Sequence, residues 1–258
     1  MGNQDMDQLR KWSGANKTER IKYEVPTIKF SGRDGTIQKF ELGDYKNGTP
    51  IVEPEMVILR ARRVYSSFTP TARMFSNEHN AYRDHITLWG TDNQKNFSKV
   101  AEGQIEDLRK DYPDLELRKA LYVLYEGEVF KFTVRGKTRR HYDEYLKTLK
   151  KEKIDIFSKN TKITAVKETN PAGLSYYALQ FEAVSDADLN DVAPKLQEVG
   201  ENMDAIDEQY NSYLTPATNA PVTPVAPAQF TGAVSTPDID VIEIDENGDE
   251  KKMDNIPW

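Results

Sequence analysis

Alternating apolar and polar residues near the start of the chain predict a β-hairpin. Residues 21–25 and 27–30 alternate with a period of two, and residues 36–42 do so again. The run Gly32-Arg33-Asp34-Gly35 separates them with residues that are typical of turns. A period of two places the apolar side chains on one face of a strand, so both arms of the hairpin can cover a hydrophobic core.

Two longer apolar segments predict the central strands. Residues 55–68 include the most hydrophobic strand of the chain, and residues 121–134 form a second strong strand region with a turn near Gly127. Further strands are predicted at 86–89, 162–166 and 176–181, the last two joined by a turn at 170–173. Residues 69–85, which are polar with scattered aromatics, are predicted to form a loop.

Three segments predict helices, at 98–112, 138–153 and 186–210. In the second of them, Tyr142, Tyr145 and Leu149 fall on one side, with arginines and lysines on the other. Seven or eight short strands with so few helices predict a mainly β fold. We expect an OB-fold-like antiparallel barrel, although other small β-barrels fit the same pattern equally well.

Composition divides the chain into four segments. They are an N-terminal arm at 1–20, a body at 21–213, a linker at 214–237 and an acidic tail at 238–258. The linker has no charged residue, shows no periodicity and is rich in Pro, Ala and Thr. Such a segment cannot bury a core, so we predict that it is flexible and that the acidic C-terminal tail is disordered.

Charge is distributed unevenly between these segments. The 258 residues carry a net charge of −7, yet residues 1–184 contain 32 basic and 26 acidic side chains. Acidic residues are concentrated at 185–213 and 238–258, with eight in each segment. A basic body followed by segregated acid suggests a polyanionic partner and an acidic interaction tail. The alternative interpretation is an acidic protein with uneven charge.

The residue content argues against catalysis. The absence of cysteine excludes disulfides, thiol nucleophiles and cysteine-ligated metals. The three histidines lack zinc-site spacing, and the glycines match neither the P-loop nor the dinucleotide fingerprint. The acidic pairs at 186–188 and 238–240 have no rigid frame for a metal. We therefore predict no enzymatic activity, no cofactor and no metal.

No apolar run reaches the length of a membrane span, so no membrane association is expected.

The tail ends in the motif Asp254-Asn255-Ile256-Pro257-Trp258, preceded by further acids and the uncharged linker. This arrangement resembles the C-terminal tip of bacterial single-stranded DNA-binding proteins, where acidic residues precede a terminal Ile-Pro-Phe. Trp258 replaces the usual Phe, and Asn255 stands where an Asp is expected. The body shows no motif of the standard bacterial family and is longer than its compact barrel. The resemblance therefore points to a phage or mobile-element variant.

The resemblance implies sequence-independent binding and protection of single-stranded DNA in replication, recombination and repair. It places the protein in the bacterial cytoplasm or in a phage-infected host cell. It also implies that Asp254, Ile256, Pro257 and Trp258 bind replication, recombination or repair proteins, the aromatic ring filling an apolar pocket. In this family the tail also competes with DNA for the binding face. The oligomeric state stays open.

Two segments of the body are candidates for contacting DNA, because single strands are held by positive grooves and by aromatic rings that stack on bases. They lie around 60–68 with the loop that follows, and around 131–142. The candidate residues are Arg60, Arg62, Arg63, Tyr65, Phe68, Arg73, Phe75, Tyr82, Arg83, Trp89, Lys131, Arg135, Lys137, Arg139 and Arg140. By contrast, Tyr122 and Phe132 alternate with polar residues as core residues do, and Trp89 fits either role.

A second class of function fits the same tail. The chain could be a replication accessory or adaptor protein that binds partners through its tail, while its body does not bind DNA. Retention on a single-stranded DNA column until the salt is raised distinguishes the two hypotheses, because only the DNA-binding protein is held by phosphates.

Overall fold

A computed structural model describes residues 23–44, 46–68, 73–80, 85–91, 97–214, 243–244 and 250–251. Contacts within the chain group into two compact units. Among the described residues, the smaller unit comprises 23–24 with 197–214, and the larger one comprises those of 25–196 with 243–244 and 250–251.

The described part of the larger unit is built mainly on one eleven-stranded sheet. Its strands are β1 (Thr27–Phe30), β2 (Ile37–Phe40), β3 (Thr49–Ile51), β4 (Glu55–Phe68), β5 (Arg73–Ser76), β6 (Ile86–Thr91), β7 (Phe97–Gly103), β8 (Glu116–Tyr125), β9 (Glu128–Val134), β10 (Lys159–Thr169) and β11 (Ser175–Asp186). The α-helices of the described residues are α1 (Ile105–Asp111), α2 (Gly136–Glu152) and α3 (Leu189–Leu214), the last continuing into the smaller unit. A 3-10 turn at Ile156–Ser158 precedes β10, and the two-residue strands β12 (Glu243–Ile244) and β13 (Glu250–Lys251) pair separately.

The sheet is mixed and branched. Its main path runs β3-β2-β1-β9-β8-β4-β5-β6-β7, and all neighbours are antiparallel except β1 and β9, which are parallel. Strand β4 is the branch point, because its first residues pair with β10 and its last residues pair with β5, while β8 follows its other edge. A β-bulge between Ile58 and Arg60 shifts the register against β8. Bulges bend a strand, which lets the two halves of β4 join different neighbours.

The main hydrophobic core lies between the central strands and α2. Ile58, Leu121 and Phe132 are fully buried there, and Tyr142 and Leu149 of α2 pack in the same cluster. Residues three or four apart share one side of a helix, so the apolar stripe predicted from the sequence is the side that α2 buries. A second cluster joins α1 to the far end of the sheet.

The smaller unit is described at residues 23–24 and 197–214. Val199 and Met203 of α3 are buried. The Tyr23 hydroxyl donates a hydrogen bond of 2.8 Å to a Glu198 carboxylate oxygen. Burial raises the pKa of the Tyr23 hydroxyl, and the hydrogen bond and negative charge of Glu198 raise it further. This contact ties the segment ahead of β1 to α3 of the same unit.

Most elements predicted from the sequence are confirmed. The fold is mainly β with few helices, and the predicted strand at 55–68 coincides with β4. The hairpins around Gly32–Gly35, Gly127 and Asn170–Gly173 are present as β1–β2, β8–β9 and β10–β11. The helices predicted at 138–153 and 186–210 are α2 and α3.

Two predicted elements are wrong in part, and of the predicted antiparallel barrel only the mainly β fold class is confirmed. Residues 69–85, predicted as a loop, contain β5, and residues 98–112, predicted as one helix, form β7 followed by α1. Both β5 and β7 pair with β6, and this non-local pairing outweighs the local propensity of the two segments. The sheet is mixed rather than antiparallel, and its pairing does not close among the described strands.

The N-terminal arm at 1–20, nearly all of the linker and most of the tail lie outside the described residues. Within the described part, no helix combines the length and hydropathy that a membrane-spanning segment requires.

Candidate nucleic-acid interface

A groove of about 800 Å³ opens in the larger unit beside β1, β9 and the first turn of α2. Residues of the β1–β2 turn and of β2, β4, β5, β8 and β11 complete its lining. Among the described residues, six cationic side chains line it, and we call it the cationic groove. They are Lys29, Arg33, Arg118, Lys131, Arg135 and Lys137. Five aromatic residues share the lining, namely Phe30, Phe68, Phe75, Tyr176 and Tyr177.

Strand alternation explains how β9 contributes to this groove. Lys131 and Thr133 line the groove, whereas their neighbours Phe130 and Phe132 are buried in the core. Successive side chains of a strand point to opposite faces, so the pattern that builds the core also aligns the polar side chains on the groove face.

Among the described residues, three carboxylates form ion pairs with cations of the cationic groove. Glu116 lies 3.2 Å from Arg118, Glu168 lies 3.8 Å from Lys137, and Glu78 forms an ion pair with Lys131. Among the described lining residues themselves, six are basic and one, Glu116, is acidic. Because low-dielectric walls concentrate the field of a cleft, such an excess attracts a polyanion.

The N-terminus of α2 adds to this positive potential. Arg135 is the N-cap residue with an extended backbone, and Gly136 follows with a φ of 51°. The first turn of this 17-residue helix contains no acidic residue. Unpaired amides and the helix dipole favour anions at a helix N-terminus, so this turn reinforces the attraction exerted by Arg135 and Lys137.

One aromatic group of the groove is formed by Phe68 and Phe75. Their rings meet edge to face, with centroids 5.0 Å apart. The Arg118 guanidinium lies 4.5 Å from the centroid of the Phe68 ring. Both phenylalanines are half-buried, so part of each ring remains accessible. Edge-to-face packing and the cation–π contact hold the rings in place.

A second aromatic group comes from β11. The Tyr177 amide donates a hydrogen bond of 2.7 Å to the Gly32 carbonyl oxygen, which fixes the backbone against the β1–β2 turn. The Tyr177 ring packs on Gly35, where a Cβ atom would lie only 2.8 Å from the ring. Gly35 also has a φ of 76°, so two independent constraints favour glycine there. The turn thereby supports one side of the Tyr177 ring.

Glu78 organises the edge of the cationic groove. Its carboxylate pairs with Lys131 and accepts a hydrogen bond of 2.8 Å from the Tyr122 hydroxyl. Arg62 donates a hydrogen bond of 3.0 Å to the Glu78 carbonyl oxygen. Burial by itself would raise the pKa of the Glu78 carboxyl. The Lys131 charge, the hydrogen bonds from Lys131 and Tyr122 to the carboxylate, and the Arg62 charge outweigh burial and hold this pKa below its ordinary value.

This pKa shift predicts how stability depends on pH. A carboxyl with a lowered folded-state pKa stabilises the protein fully above its ordinary value of 4.5, and that contribution is lost as pH falls through the folded pKa. Between neutral pH and pH ~3, the wild type should therefore lose on the order of 1–3 kcal/mol relative to Glu78→Gln. Urea unfolding across this pH range measures it, with Glu106→Gln, an exposed position, as control. Parallel pH curves for the wild type and Glu78→Gln would rule out the assigned role.

The structure brings five of the predicted DNA-contacting residues together. Phe68, Phe75, Lys131, Arg135 and Lys137 all line the cationic groove. They come from both of the segments that the sequence singled out. Strands β4 and β9 both pair with β8, and this pairing places the two segments on the same sheet.

The remaining predicted residues lie elsewhere. Arg62 and Tyr65 are each 1% exposed, which leaves them no surface for a ligand. Arg63 pairs through its backbone with His79, and Arg139 lies 3.6 Å from Asp143. Outside the groove lining are also Arg60, Arg73, Trp89 and Arg140. Tyr82 and Arg83 lie outside the described residues, as do Asp254, Ile256, Pro257 and Trp258 of the tail.

Sequence reasoning missed several groove residues, among them Lys29, Arg33, Arg118, Tyr176 and Tyr177. The first two lie in the N-terminal hairpin, whose polar positions resemble any solvated strand face. Arg118 precedes the strand predicted to begin at residue 121, although the alternation already starts before it. The tyrosines of β11 reach the groove only because that strand packs against the β1–β2 turn.

Comparisons of the chain with protein-family models, with curated proteins and with solved structures find no match.

Proposed function

We propose that this protein binds single-stranded DNA in the cationic groove without strong sequence preference. The observation that supports the proposal is the joining of six cations and five aromatic residues in one groove with an excess of positive charge. Phosphates of a single strand neutralise the cations and release counterions, while its unpaired bases stack on the rings.

The cationic and the aromatic side chains of the groove make different contacts with the DNA strand. Lysine and arginine contacts to phosphates carry no sequence information, and every base presents a face on which an aromatic ring can stack. The bases of a duplex are already stacked inside it, so they are not accessible for stacking on the rings of Phe75 and Tyr177. The groove therefore favours a single strand over a duplex and tolerates any sequence.

The biological role follows from this binding together with the tail. We propose that the protein covers and protects single-stranded DNA during replication, recombination or repair, and that residues 254–258 recruit partner proteins. The tail lies largely outside the described residues, so its role rests on the sequence resemblance alone. An OB-fold-like topology likewise stays a prediction, and the groove supports DNA binding without it.

A fluorescence titration with a 30-nucleotide oligo-dT, repeated across salt concentrations, tests the proposal. Three to six phosphate contacts give a slope of log affinity against log salt of roughly −2 to −4. A matched 30-base-pair duplex should bind more weakly at each salt concentration. Failure to bind oligo-dT at low salt would refute the proposal and leave the adaptor hypothesis.

Stacking predicts a specific loss in one variant. Phe75→Ala removes a groove ring and should weaken oligo-dT binding by about 1–3 kcal/mol. The fold should survive, because Phe75 is half-buried and lies on the short strand β5. Thermal unfolding followed by circular dichroism checks this survival. Unchanged DNA affinity in a folded Phe75→Ala protein would assign the ring to packing against Phe68 alone.

A further inference from the structure

A second groove, of about 490 Å³, lies between α2 and β11 in the larger unit. We call it the α2–β11 groove. The helix contributes residues between His141 and Glu152, and the strand contributes Gln180 to Ala183. It follows the cationic groove along both elements, since Thr138 and Tyr176 to Ala178 line the first groove. The DNA-binding proposal makes no use of it.

Within the described part of the chain, the outer edge of β11 is occupied only over its first half. Among the described strands β11 pairs with β10 alone. On its other edge, the Leu179 amide donates a hydrogen bond of 3.0 Å to the Thr138 hydroxyl, and His141 Nδ1 lies 2.8 Å from the Leu179 carbonyl oxygen. Side chains of α2 thus close this edge at Leu179, as the Gly32 carbonyl does at Tyr177.

Beyond Leu179, no described residue pairs with the same edge. Outward-facing backbone groups recur at every second residue of an antiparallel strand, so those of Phe181 and Ala183 follow those of Tyr177 and Leu179. Within the described residues, no hydrogen bond reaches the outward groups of Phe181 or Ala183. A short stretch of unpaired donors and acceptors therefore faces the α2–β11 groove. Such an edge is a template for another strand.

The rim of this groove is acidic. Glu144 and Glu152 of α2 and Glu182 of β11 line it, and all three are exposed. None of their carboxylates makes an ion pair or hydrogen bond within the described part of the chain. The charge of Glu182 does act on Lys162, the residue opposite it on β10. The two helix residues are eight apart, so they fall on one side of α2, two turns from each other.

The floor of the groove is apolar. Tyr145 and Leu149 of α2 are buried there, and the half-buried Phe181 ring stacks on Tyr145 with centroids 6.2 Å apart. An extended segment lying on this floor can direct alternate side chains to the apolar base and to the acidic rim, because strand side chains alternate in direction.

We propose that the α2–β11 groove binds an extended segment of a partner protein in which basic and apolar residues alternate. The segment adds as a strand to the edge of β11 at Phe181 and Ala183, and its basic side chains meet the three glutamates. Backbone hydrogen bonds hold the strand and side chains select it, as in other cases of strand addition.

The acidic rim also determines which occupants are disfavoured. Phosphates are repelled by Glu144, Glu152 and Glu182, so nucleic acid does not compete for this groove. A second copy pairing edge to edge would bring its own Glu182 beside that of the first, and like charges across a strand pair are destabilising. An extended basic segment of a partner can form hydrogen bonds with the edge of β11 and neutralise the negative charge of the three glutamates.

The test uses the full chain, without DNA, and a fluorescein-labelled Lys-Val-Lys-Val-Lys-Val-Lys peptide followed by fluorescence anisotropy. Saturable binding of this peptide, and none of its Glu-Val counterpart, is the expected result. Glu144→Gln with Glu152→Gln should weaken binding roughly 2- to 30-fold. Glu106→Gln with Glu128→Gln removes the same charge from exposed positions outside the groove and should leave binding unchanged.

Ala183→Pro separates strand addition from simple charge attraction. It removes one outward amide and alters no charge, and proline is tolerated at an edge whose amide faces solvent. Peptide binding should be lost while circular dichroism and oligo-dT binding persist. Equal peptide affinity in Ala183→Pro and the wild type, no peptide binding by the wild type, or a dimer that Ala183→Pro abolishes would each overturn the proposal. If Ala183→Pro fails to fold, the double variant Glu144→Gln with Glu152→Gln still tests the proposal.

Discussion

Replacing Lys29, Arg33 and Arg135 together with glutamine is expected to weaken oligo-dT binding by roughly 10²–10³-fold at ~50 mM salt. The three side chains come from β1, the turn after it and the N-cap of α2, and all line the cationic groove. Each phosphate contact to a single strand contributes about −0.7 to the slope of log affinity against log salt. Losing three contacts should therefore make the slope shallower by about 2, which the same titration measures.

A matched variant distinguishes the groove from net charge. Lys147, Lys150 and Lys151 are exposed residues of α2 outside the groove lining, and their replacement with glutamine removes the same three charges. This control should retain nearly wild-type affinity and slope. If both triple variants lose affinity equally, binding follows the overall charge of the body and the cationic groove is not the DNA site.

Removing residues 238–258 is expected to tighten oligo-dT binding roughly tenfold at low salt. The segment contains eight acids and two lysines, and the sequence predicts a flexible linker ahead of it. A linker of this kind gives an effective concentration on the order of 1 mM, and a weak polyanion binds a basic surface with a dissociation constant on the order of 0.1 mM. The ratio of these values sets the expected competition, which screening should erase as salt rises. The measurement is the same titration on the shortened chain.

Two further variants divide the roles of the tail. A full-length chain with the eight acids of 238–258 changed to amides should reproduce the tighter DNA binding, because charge alone drives the competition. Trp258→Ala should leave DNA affinity nearly unchanged and abolish capture of replication or repair proteins, since the apolar anchor is lost. Unaltered DNA affinity in both the shortened and the amide chains would show that the tail does not reach the cationic groove.

Local patterns in the sequence were sufficient to predict the strands and helices that have a strong hydrophobic periodicity. The alternation at 27–30 and 36–42, the apolar run of β4 and the stripe Tyr142, Tyr145 and Leu149 each produced the expected element. These patterns succeed because the period of the apolar residues must match the geometry of a strand or helix for its face to be buried. They also placed Lys131, Arg135 and Lys137 at the junction of a strand and a helix.

Only tertiary structure decided which of these residues share a site. Arg62 and Tyr65 lie on the same strand as Phe68, yet they are buried, because neighbouring segments cover the middle of β4 and leave its end open. Tyr177 joins Lys29 through contacts across about 150 positions of chain, and β7 is a strand because β6 supplies its partner. Periodicity specifies the face that a segment buries, but pairing between distant strands determines what that face meets. The local sequence therefore determined the mainly β fold class of this protein. Non-local packing determined which residues line each of the two grooves.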